Sequence, residues 1–244
     1  WVWIPRFSAT GDTENYNGGT KSAPGAFDIT FVDNKTSAHD AFTFGTQNLN
    51  GFWVGKFENS SDTTCTAANN SAVGAGCNLT TIRPKILSNA NIWRGASVST
   101  FSYDMQKMTD SGNQYGFDKT KDITLDTHIM KNNEWGAVAY LTQSIYGRCT
   151  SSTSCTEIGI NNNSSYITGY GAPAGSSESV TNGAYNTDLG KDASTTGNIY
   201  GIYDMSGGSF EYVMGVYNKT IKGSKFSSLP NEKYYNNYTG TSYI

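Results

Sequence analysis

The sequence predicts an α+β protein in which short strands and two helices are joined by long polar loops. Three observations lead to this prediction. Short segments near the N-terminus alternate between apolar and polar residues, two later segments carry apolar residues at helical spacing, and Gly, Ser, Asn and Thr fill the stretches between them. Alternation indicates half-buried strands, and a repeat of three to four residues indicates an amphipathic helix. A chain of 244 residues has room for one large domain or two small ones.

Four segments are predicted to be strands. Residues 1–7 are mostly apolar, residues 28–33 alternate, and residues 51–58 are rich in aromatic side chains. A fourth strand is predicted at residues 209–215, where apolar and polar residues alternate again. Aromatic and β-branched residues are typical of strands because they pack well on a pleated, half-buried surface.

Two segments are predicted to be helices. Residues 97–109 place four apolar side chains on one face, either Ser97 or Ser99 can cap the N-terminus, and an Asp-Ser-Gly sequence follows. Residues 132–146 show the clearer helical spacing, and Gly147 is placed to end that helix.

The composition excludes two classes of partner. Only 15% of the residues are charged and the net charge is −3, with no basic cluster dense enough to hold a phosphate backbone, so we expect no nucleic-acid partner. No apolar run approaches the roughly 20 residues of a membrane-spanning helix. Abundant glycine and tyrosine among uncharged polar residues are instead typical of a loop-rich extracellular protein.

The four cysteines form two pairs that are close in sequence: Cys65 with Cys77, and Cys149 with Cys155. The residues inside each pair are small or polar, and the two-residue spacings and added histidines of zinc sites are missing. We therefore predict two local disulfides, Cys65–Cys77 and Cys149–Cys155, with four unrelated thiols as the alternative. Disulfides would place the protein outside the cytosol.

Three blocks of the chain carry a family resemblance. Residues 3–5 are Trp-Ile-Pro and residues 52–58 are Phe-Trp-Val-Gly-Lys-Phe-Glu, residues 133–140 contain Asn-Glu-Trp, and residues 200–213 read Tyr-Gly-Ile-Tyr-Asp-Met-Ser-Gly-Gly-Ser-Phe-Glu-Tyr-Val. In this order the blocks resemble the opening strands, the Glu-Trp helix and the signature turn of the formylglycine-generating-enzyme (sulfatase-modifying factor) branch of the C-type-lectin fold. The last block is the specific one. The resemblance implies a single C-type-lectin-like domain over residues 1–244, with a small twisted antiparallel sheet, two helices and long ordered loops.

Within that branch, the chain is most similar to bacterial proteins that look secreted or surface-displayed, some with prepilin-type leaders. The branch also includes the ligand-binding variable proteins of diversity-generating retroelements. The chain departs from the family pattern at Gly208, Phe210 and Tyr212, where Asn, Trp and Trp are usual. Family members also continue into an Arg-Gly-Gly segment and a Gly-Phe-Arg strand, so we expect that this C-terminal segment is absent from residues 1–244.

The signature turn contains a candidate calcium site. Calcium takes six to eight oxygen ligands from carboxylates and backbone carbonyls. Asp204 and Glu211 flank the glycine turn, and the resemblance implies that Gly207 and Ser209 would add main-chain carbonyls. The alternative is that Asp204 caps the turn while Glu211 points into solvent.

Aromatic side chains are the candidates for ligand contact. Tyrosine together with Ser, Gly and Asn is the composition of adaptable binding loops, and such tyrosines lie in the polar loops and near the C-terminus: Tyr166, Tyr170, Tyr185, Tyr234, Tyr235 and Tyr238. Ordinary loop packing is the alternative for them. A carbohydrate-stacking platform is conceivable for Trp3, Trp53, Trp93 and Trp135, but we expect Trp53 and Trp135 to be core residues.

The sequence offers little for catalysis. His39 and His128 are the only histidines, and neither lies in a nucleophile motif, while phosphate-binding and dinucleotide-binding fingerprints are missing. We therefore expect a non-enzymatic, secreted or cell-surface module that binds a protein or glycan ligand on a calcium-stabilised scaffold. Two alternatives stay open: a structural subunit or decoration of a pilus or filament, and a formylglycine-generating-type oxidase whose catalytic segment lies outside this chain.

Overall fold

The computed structural model describes residues 1–62, 65, 77, 81–110, 113, 115–117 and 125–240. It contains both α and β structure, with short strands in small pairs and few helices. The predicted α+β class is therefore confirmed.

The regular elements are short and follow one another closely along the chain. The strands are β1 Val2–Pro5, β2 Phe7–Thr10, β3 Asp28–Phe31, β4 Thr43–Phe44, β5 Gln47–Asn48, β6 Gly51–Val54, β7 Ser60–Ser61, β8 Pro84–Lys85, β9 Cys149–Ser151, β10 Ser154–Cys155, β11 Tyr170–Gly171, β12 Gly183–Ala184, β13 Gly215–Tyr217 and β14 Asn236–Tyr238. The α-helices are α1 Val98–Gln106, α2 Asn132–Thr142 and α3 Asp188–Lys191. Single 3₁₀ turns lie at Tyr16–Gly18, Asp40–Phe42, Lys107–Thr109 and Glu232–Tyr234.

Contacts within the chain divide it into two compact units, whereas the sequence predicts one domain. The first unit consists of Trp1–Ser60, Ile86–Ile92 and Asn133–Phe210. The second unit consists of Ser61–Lys85, Trp93–Asn132 and Glu211–Ile244. Each unit is thus assembled from three separate stretches of the chain.

The first unit is built on antiparallel strand pairs. Strand β1 pairs with β6, and β2 pairs with β3. Between these pairs lies an aromatic core in which the rings of Phe7 and Phe42 are 5.2 Å apart, and those of Phe42 and Phe52 are 5.4 Å apart. Phe7 and Phe42 are fully buried, as expected for large side chains on the inward face of a half-buried strand or turn.

The second unit has two buried clusters. One surrounds Met105, Met108, Ile129, Met214 and Tyr235, and the other contains Cys65, Cys77, Ile82 and Trp93. The unit also contains the parallel strand pair β13–β14, in which Val216 lies opposite Asn237.

Helix α1 agrees with its prediction. It begins at Val98 after Ser97, whose Oγ accepts a hydrogen bond from the Thr100 backbone N–H, and it continues as a 3₁₀ turn to Thr109. Met105 and Met108 are buried, as the helical spacing of the apolar residues predicts.

Helix α2 ends at Thr142, four residues before the predicted end at residue 146. The Ser144 hydroxyl donates to the Leu141 carbonyl and accepts from the Tyr146 backbone N–H. A serine that bonds neighbouring backbone groups in this way competes with the helical hydrogen bonds, and the helix ends there.

The strand predicted at residues 209–215 is wrong in position, because β13 begins only at Gly215. The backbone N–H of Ser209 is bonded to the Glu58 carboxylate. It is therefore not available to pair with a neighbouring strand.

Within the described residues, no helix combines the length and the apolar character needed to cross a bilayer.

Candidate functional site

The glycine turn after Asp204 is organised by the buried carboxylate of that residue. Asp204 is fully buried and has a backbone φ of +66°, which only a minority of non-glycine residues adopt. Its carboxylate accepts hydrogen bonds from the Asn161 Nδ2 at 2.8 Å, from the Gly169 backbone N–H at 3.0 Å, and from the Glu58 backbone N–H at 3.2 Å. Asp204 therefore ties together three chain segments that are far apart in sequence.

Burial and hydrogen bonding act in opposite directions on this carboxyl group. Burial raises the pKa of Asp204 to about 6, while the donors from Asn161, Gly169 and Glu58 favour the ionised form and lower the pKa. Burial has the larger effect. The carboxylate is nevertheless a well-satisfied acceptor, since each bond that it makes comes from an N–H group of the protein.

The two glycines of the turn are required by geometry. Gly207 has a φ of +84° and Gly208 has a φ of +68°, a region that favours glycine. A Cβ atom at Gly207 would lie 2.2 Å from the Asn161 carbonyl oxygen, and one at Gly208 would lie 2.5 Å from the Glu58 carboxylate. The Asn161 carbonyl also accepts a hydrogen bond from the Gly208 backbone N–H, so the turn packs directly against residues 161 and 58.

These contacts do not fit Asp204 as a calcium ligand. A cation at its oxygens would have to displace N–H donors that already point at them, and N–H groups repel a cation. The donors to Asp204 lie in residues 58, 161 and 169, so its carboxylate links the turn to those residues. Within the described part of the chain, no group of three or more His, Cys, Asp or Glu side chains is placed to hold a metal ion.

The four predicted calcium ligands do not all fall in one unit. Asp204, Gly207 and Ser209 belong to the first unit, and Glu211 belongs to the second. In the first unit, the Ser209 backbone N–H donates to the Glu58 Oε2 at 3.2 Å. A calcium site at this turn stays a prediction.

The six predicted ligand-contact tyrosines have different surroundings. Tyr166 and Tyr170 are half-buried, and Tyr170 Oη lies 3.5 Å from the Asn89 Oδ1. Tyr185 packs against Phe57, with ring centroids 5.3 Å apart. In the first unit these tyrosines are thus partly engaged in packing, and their role in binding stays a prediction.

The other three tyrosines belong to the second unit. Tyr234 bonds the Asp126 carboxylate at 3.0 Å, and Tyr238 accepts a hydrogen bond from the Asn132 Nδ2 at 2.6 Å. Tyr235 is buried in the cluster that contains Met105, Met108 and Met214, which we call the methionine-rich cluster. Its position is the one expected for ordinary packing, the alternative that accompanies the binding prediction.

An exposed aromatic surface lies on the β1–β6 pair of the first unit. Trp3 and Trp53 are directly opposite each other in the antiparallel register, with ring centroids 5.2 Å apart. They are 42% and 62% exposed, and Trp1, the residue before β1 and two positions from Trp3, is 50% exposed. We call Trp1, Trp3 and Trp53 the tryptophan face.

The expectation that Trp53 is a core residue is wrong. The neighbouring positions Ile4 and Val54 point to the other side of the strand pair and are buried. Because side chains alternate along a strand, burial of Ile4 and Val54 directs Trp3 and Trp53 toward solvent. Of the remaining candidates, Trp93 is buried in the second unit and Trp135 is half-buried in the first.

The two cysteine pairs differ. Cys149 and Cys155 form the predicted disulfide. The predicted Cys65–Cys77 disulfide is not formed: both residues are buried thiols, and the two side chains are hydrogen-bonded to each other. Burial, with hydrogen bonding between the two thiols, raises the pKa of Cys65 to about 12, so this thiol stays protonated beside Ile82 and Trp93.

Sequence reasoning did not identify Asn161 and Gly169 as partners of Asp204. Both lie in a glycine- and asparagine-rich stretch without periodicity, so no local pattern distinguishes them from neighbouring loop residues. The sequence places Glu58 only at the end of the aromatic strand predicted at residues 51–58.

Comparisons of this chain with protein-family models, with curated proteins and with solved structures found no match.

Proposed function

We propose that this chain is a non-enzymatic ligand-binding module of a secreted or cell-surface protein, and that the tryptophan face contacts a glycan. The observation that carries the proposal is the exposure of Trp3 and Trp53 on one side of a strand pair, together with the exposed Trp1 just before β1. Tryptophan is the largest aromatic side chain, and leaving three of them in water forgoes a substantial gain from burial. Exposed apolar patches of this kind mark interaction sites.

The chemistry of the face suits a sugar ring. An indole offers a flat apolar surface that matches the C–H face of a pyranose, and its N–H can donate to a hydroxyl. Trp3 and Trp53 are tilted by 57° to each other, so together they form an angled aromatic surface and not a single flat stack. Aromatic side chains provide such contact area at low cost in conformational entropy.

The face is also held in place before a ligand arrives. Four residue pairs fix the β1–β6 register, from Val2 opposite Val54 to Pro5 opposite Gly51. Ile4 and Val54 anchor the opposite side of the strand pair in the core. A one-residue slip would bury the tryptophans and expose these aliphatic side chains, so the register is strongly specified.

One further feature supports a location outside the cytosol. The Cys149–Cys155 disulfide is compatible with an oxidising compartment.

The contacts of the two histidines support a non-enzymatic module, because they are of a structural kind. The His39 Nδ1 accepts a hydrogen bond from the Ala41 backbone N–H, and the His128 Nδ1 lies 3.4 Å from the Asp126 carboxylate. We propose the C-type-lectin-like assignment on the sequence resemblance alone.

The proposal is tested by binding of the purified chain to an array of immobilised oligosaccharides. We expect Trp53→Ala and Trp3→Ala to weaken binding at least about tenfold, since one stacked aromatic contact contributes more than about 1.4 kcal/mol. Phe210→Ala is the matched control, because Phe210 is an exposed aromatic residue of the same unit outside the tryptophan face.

Equal binding by the tryptophan variants and the wild type would contradict the glycan role of this face, as would a failure to bind any oligosaccharide. Sedimentation of the same proteins addresses the filament alternative. Self-assembly that Trp53→Ala abolishes would identify the face as a contact between subunits.

A further inference from the structure

We propose that the second unit contains a binding site for an alkyl carboxylate of the fatty-acid class. The site is a cavity of about 580 Å³ formed by residues 95–98 at the start of α1, by residues 212–217 with β13, and by residues 220–226 with Leu229. All of these residues belong to the second unit, so the site shares no residue with the tryptophan face of the first unit.

The cavity has the size and the wall chemistry of a small-molecule site. Pockets of about 300–1,000 Å³ with apolar walls and a few polar groups are typical of ligand sites. The walls include Val98, Met214, Val216, Phe226 and Leu229, which also pack against the methionine-rich core cluster. The cavity is therefore an open side of the hydrophobic core, and an apolar chain placed there would continue the packing of that core.

Hydrogen bonds hold the wall formed by residues 217–226 in place. The Ser99 backbone N–H donates to the Ser224 carbonyl at 3.2 Å, which ties this segment to α1. At the other end of the segment, the Asn218 backbone N–H donates to the Tyr238 carbonyl at 2.8 Å. The cavity consequently exists before a ligand binds, which lowers the entropy cost of binding.

Charge selects the ligand. Among the described residues that line the cavity, the charged ones are Lys222 and Lys225, and both are exposed to solvent. Two ammonium groups with no lining carboxylate favour an anionic head group and disfavour a cationic one. An apolar tail in the cavity and a carboxylate at the lysines together describe a fatty acid.

The N-terminus of α1 is not the source of the positive charge in this argument. The Ser97 Oγ already accepts the Thr100 backbone N–H, and the Ser99 N–H is bonded to Ser224. The lysines are the groups that we assign to the carboxylate.

Isothermal titration with three probes of equal chain length tests the proposal: sodium dodecanoate, dodecanol and dodecyltrimethylammonium bromide, each below its aggregation concentration. We expect dodecanoate to bind at least about tenfold more tightly than the ammonium probe, which corresponds to about 1.4 kcal/mol. Dodecanol should fall between them. Absence of dodecanoate binding, or equal binding of the two charged probes, would overturn the proposal.

Variants separate the head-group and tail contributions. The double variant Lys222→Gln/Lys225→Gln should lose the preference for dodecanoate, while the control Lys21→Gln/Lys35→Gln, with two exposed lysines of the first unit, should keep it. Val213→Trp, which adds bulk to the lining, should weaken all three probes. Wild-type dodecanoate affinity in both the double variant and Val213→Trp would place the ligand elsewhere. None of these changes touches the tryptophan face, so the outcome is independent of the glycan experiment.

Discussion

Two buried aspartates, one in each unit, behave in opposite ways. Asp204 in the first unit accepts hydrogen bonds from Asn161, Gly169 and Glu58. Asp104, on α1 in the second unit, is also buried, but neither of its carboxyl oxygens has a hydrogen-bond partner within the described structure. The same residue type is thus an organising acceptor in one place and an unsatisfied polar group in the other.

The charge state of the two groups follows from this difference. Burial raises the pKa of Asp104 to about 7, with Lys107 lowering it and Asp62 raising it further. The pKa of Asp204 is raised only to about 6, although Asp204 is the more buried of the two, because its hydrogen-bond donors favour the ionised form. Burial alone therefore does not determine the role of an aspartate; the number of donors around it does.

The largest effect is expected from Asp204→Ala. Removing the carboxylate leaves the buried N–H groups of Glu58, Gly169 and Asn161 without their acceptor. Each buried N–H group left unpaired lowers the stability by about 1–3 kcal/mol, before the surrounding structure relaxes. We expect the free energy of unfolding to fall by roughly 3–5 kcal/mol, measured by urea denaturation at pH 7.

The matched control for this variant is Asp28→Ala, which removes an exposed carboxylate of the same unit. It should change stability by less than about 0.5 kcal/mol. A similar small effect for Asp204→Ala would show that the glycine turn does not depend on this carboxylate.

The second effect is a pH dependence of stability caused by Asp104. Its pKa rises from 3.8 to about 7 on folding, so between these values the folded state holds a proton that the unfolded state has lost. The contribution of Asp104 to the free energy of unfolding is therefore at its largest below about pH 4, and it is lost as the pH rises to about 7. The loss is on the order of 2–4 kcal/mol.

Asp104→Asn removes this titration. The difference in unfolding free energy between variant and wild type should increase in favour of the variant from pH 4 to pH 8, as measured by urea denaturation across that range. Asp110→Asn, at an exposed position after the same helix, is the control and should follow the wild type. Parallel pH profiles for wild type and Asp104→Asn would show that Asp104 is not held neutral by burial.

The smallest effect is expected from a metal chelator. A calcium ion at 100 times its dissociation constant would stabilise the fold by about 2.7 kcal/mol. Because protein N–H groups already occupy the Asp204 oxygens, we expect EDTA to shift the melting temperature by less than about 1 °C. A clear drop, reversed by added calcium, would instead support the calcium site predicted at Asp204, Gly207, Ser209 and Glu211.

Much of the local structure could be predicted from the sequence. The cap at Ser97, the apolar face of α1 and the strands near residues 2, 28 and 51 all follow from periodicity and capping within a few residues. The Cys149–Cys155 disulfide could equally be predicted from the sequence, since its partners are six residues apart in a loop of small polar residues. Predictions failed where a side chain took over backbone hydrogen bonds, as Ser144 does at the end of α2 and Glu58 does at Ser209.

The candidate sites were harder to predict from the sequence. The glycine turn was identified from its residues, but its partner Glu58 lies 146 residues from Asp204 and Asn161 lies 43 residues away. The exposure of Trp53 depends on which side of β6 faces the core, and the aromatic run of residues 52–57 does not indicate that side.

The sequence by itself determined the α+β class, the order and approximate positions of the main helices and strands, and the position of the one disulfide, because these depend on interactions between residues close in the chain. Only the tertiary structure decided which donors surround Asp204, that Asp104 has none among the described residues, that Cys65 and Cys77 are buried thiols, and that Trp3 and Trp53 share an exposed surface. Those features depend on burial and on contacts between distant segments, and neither is specified by the pattern of any single segment.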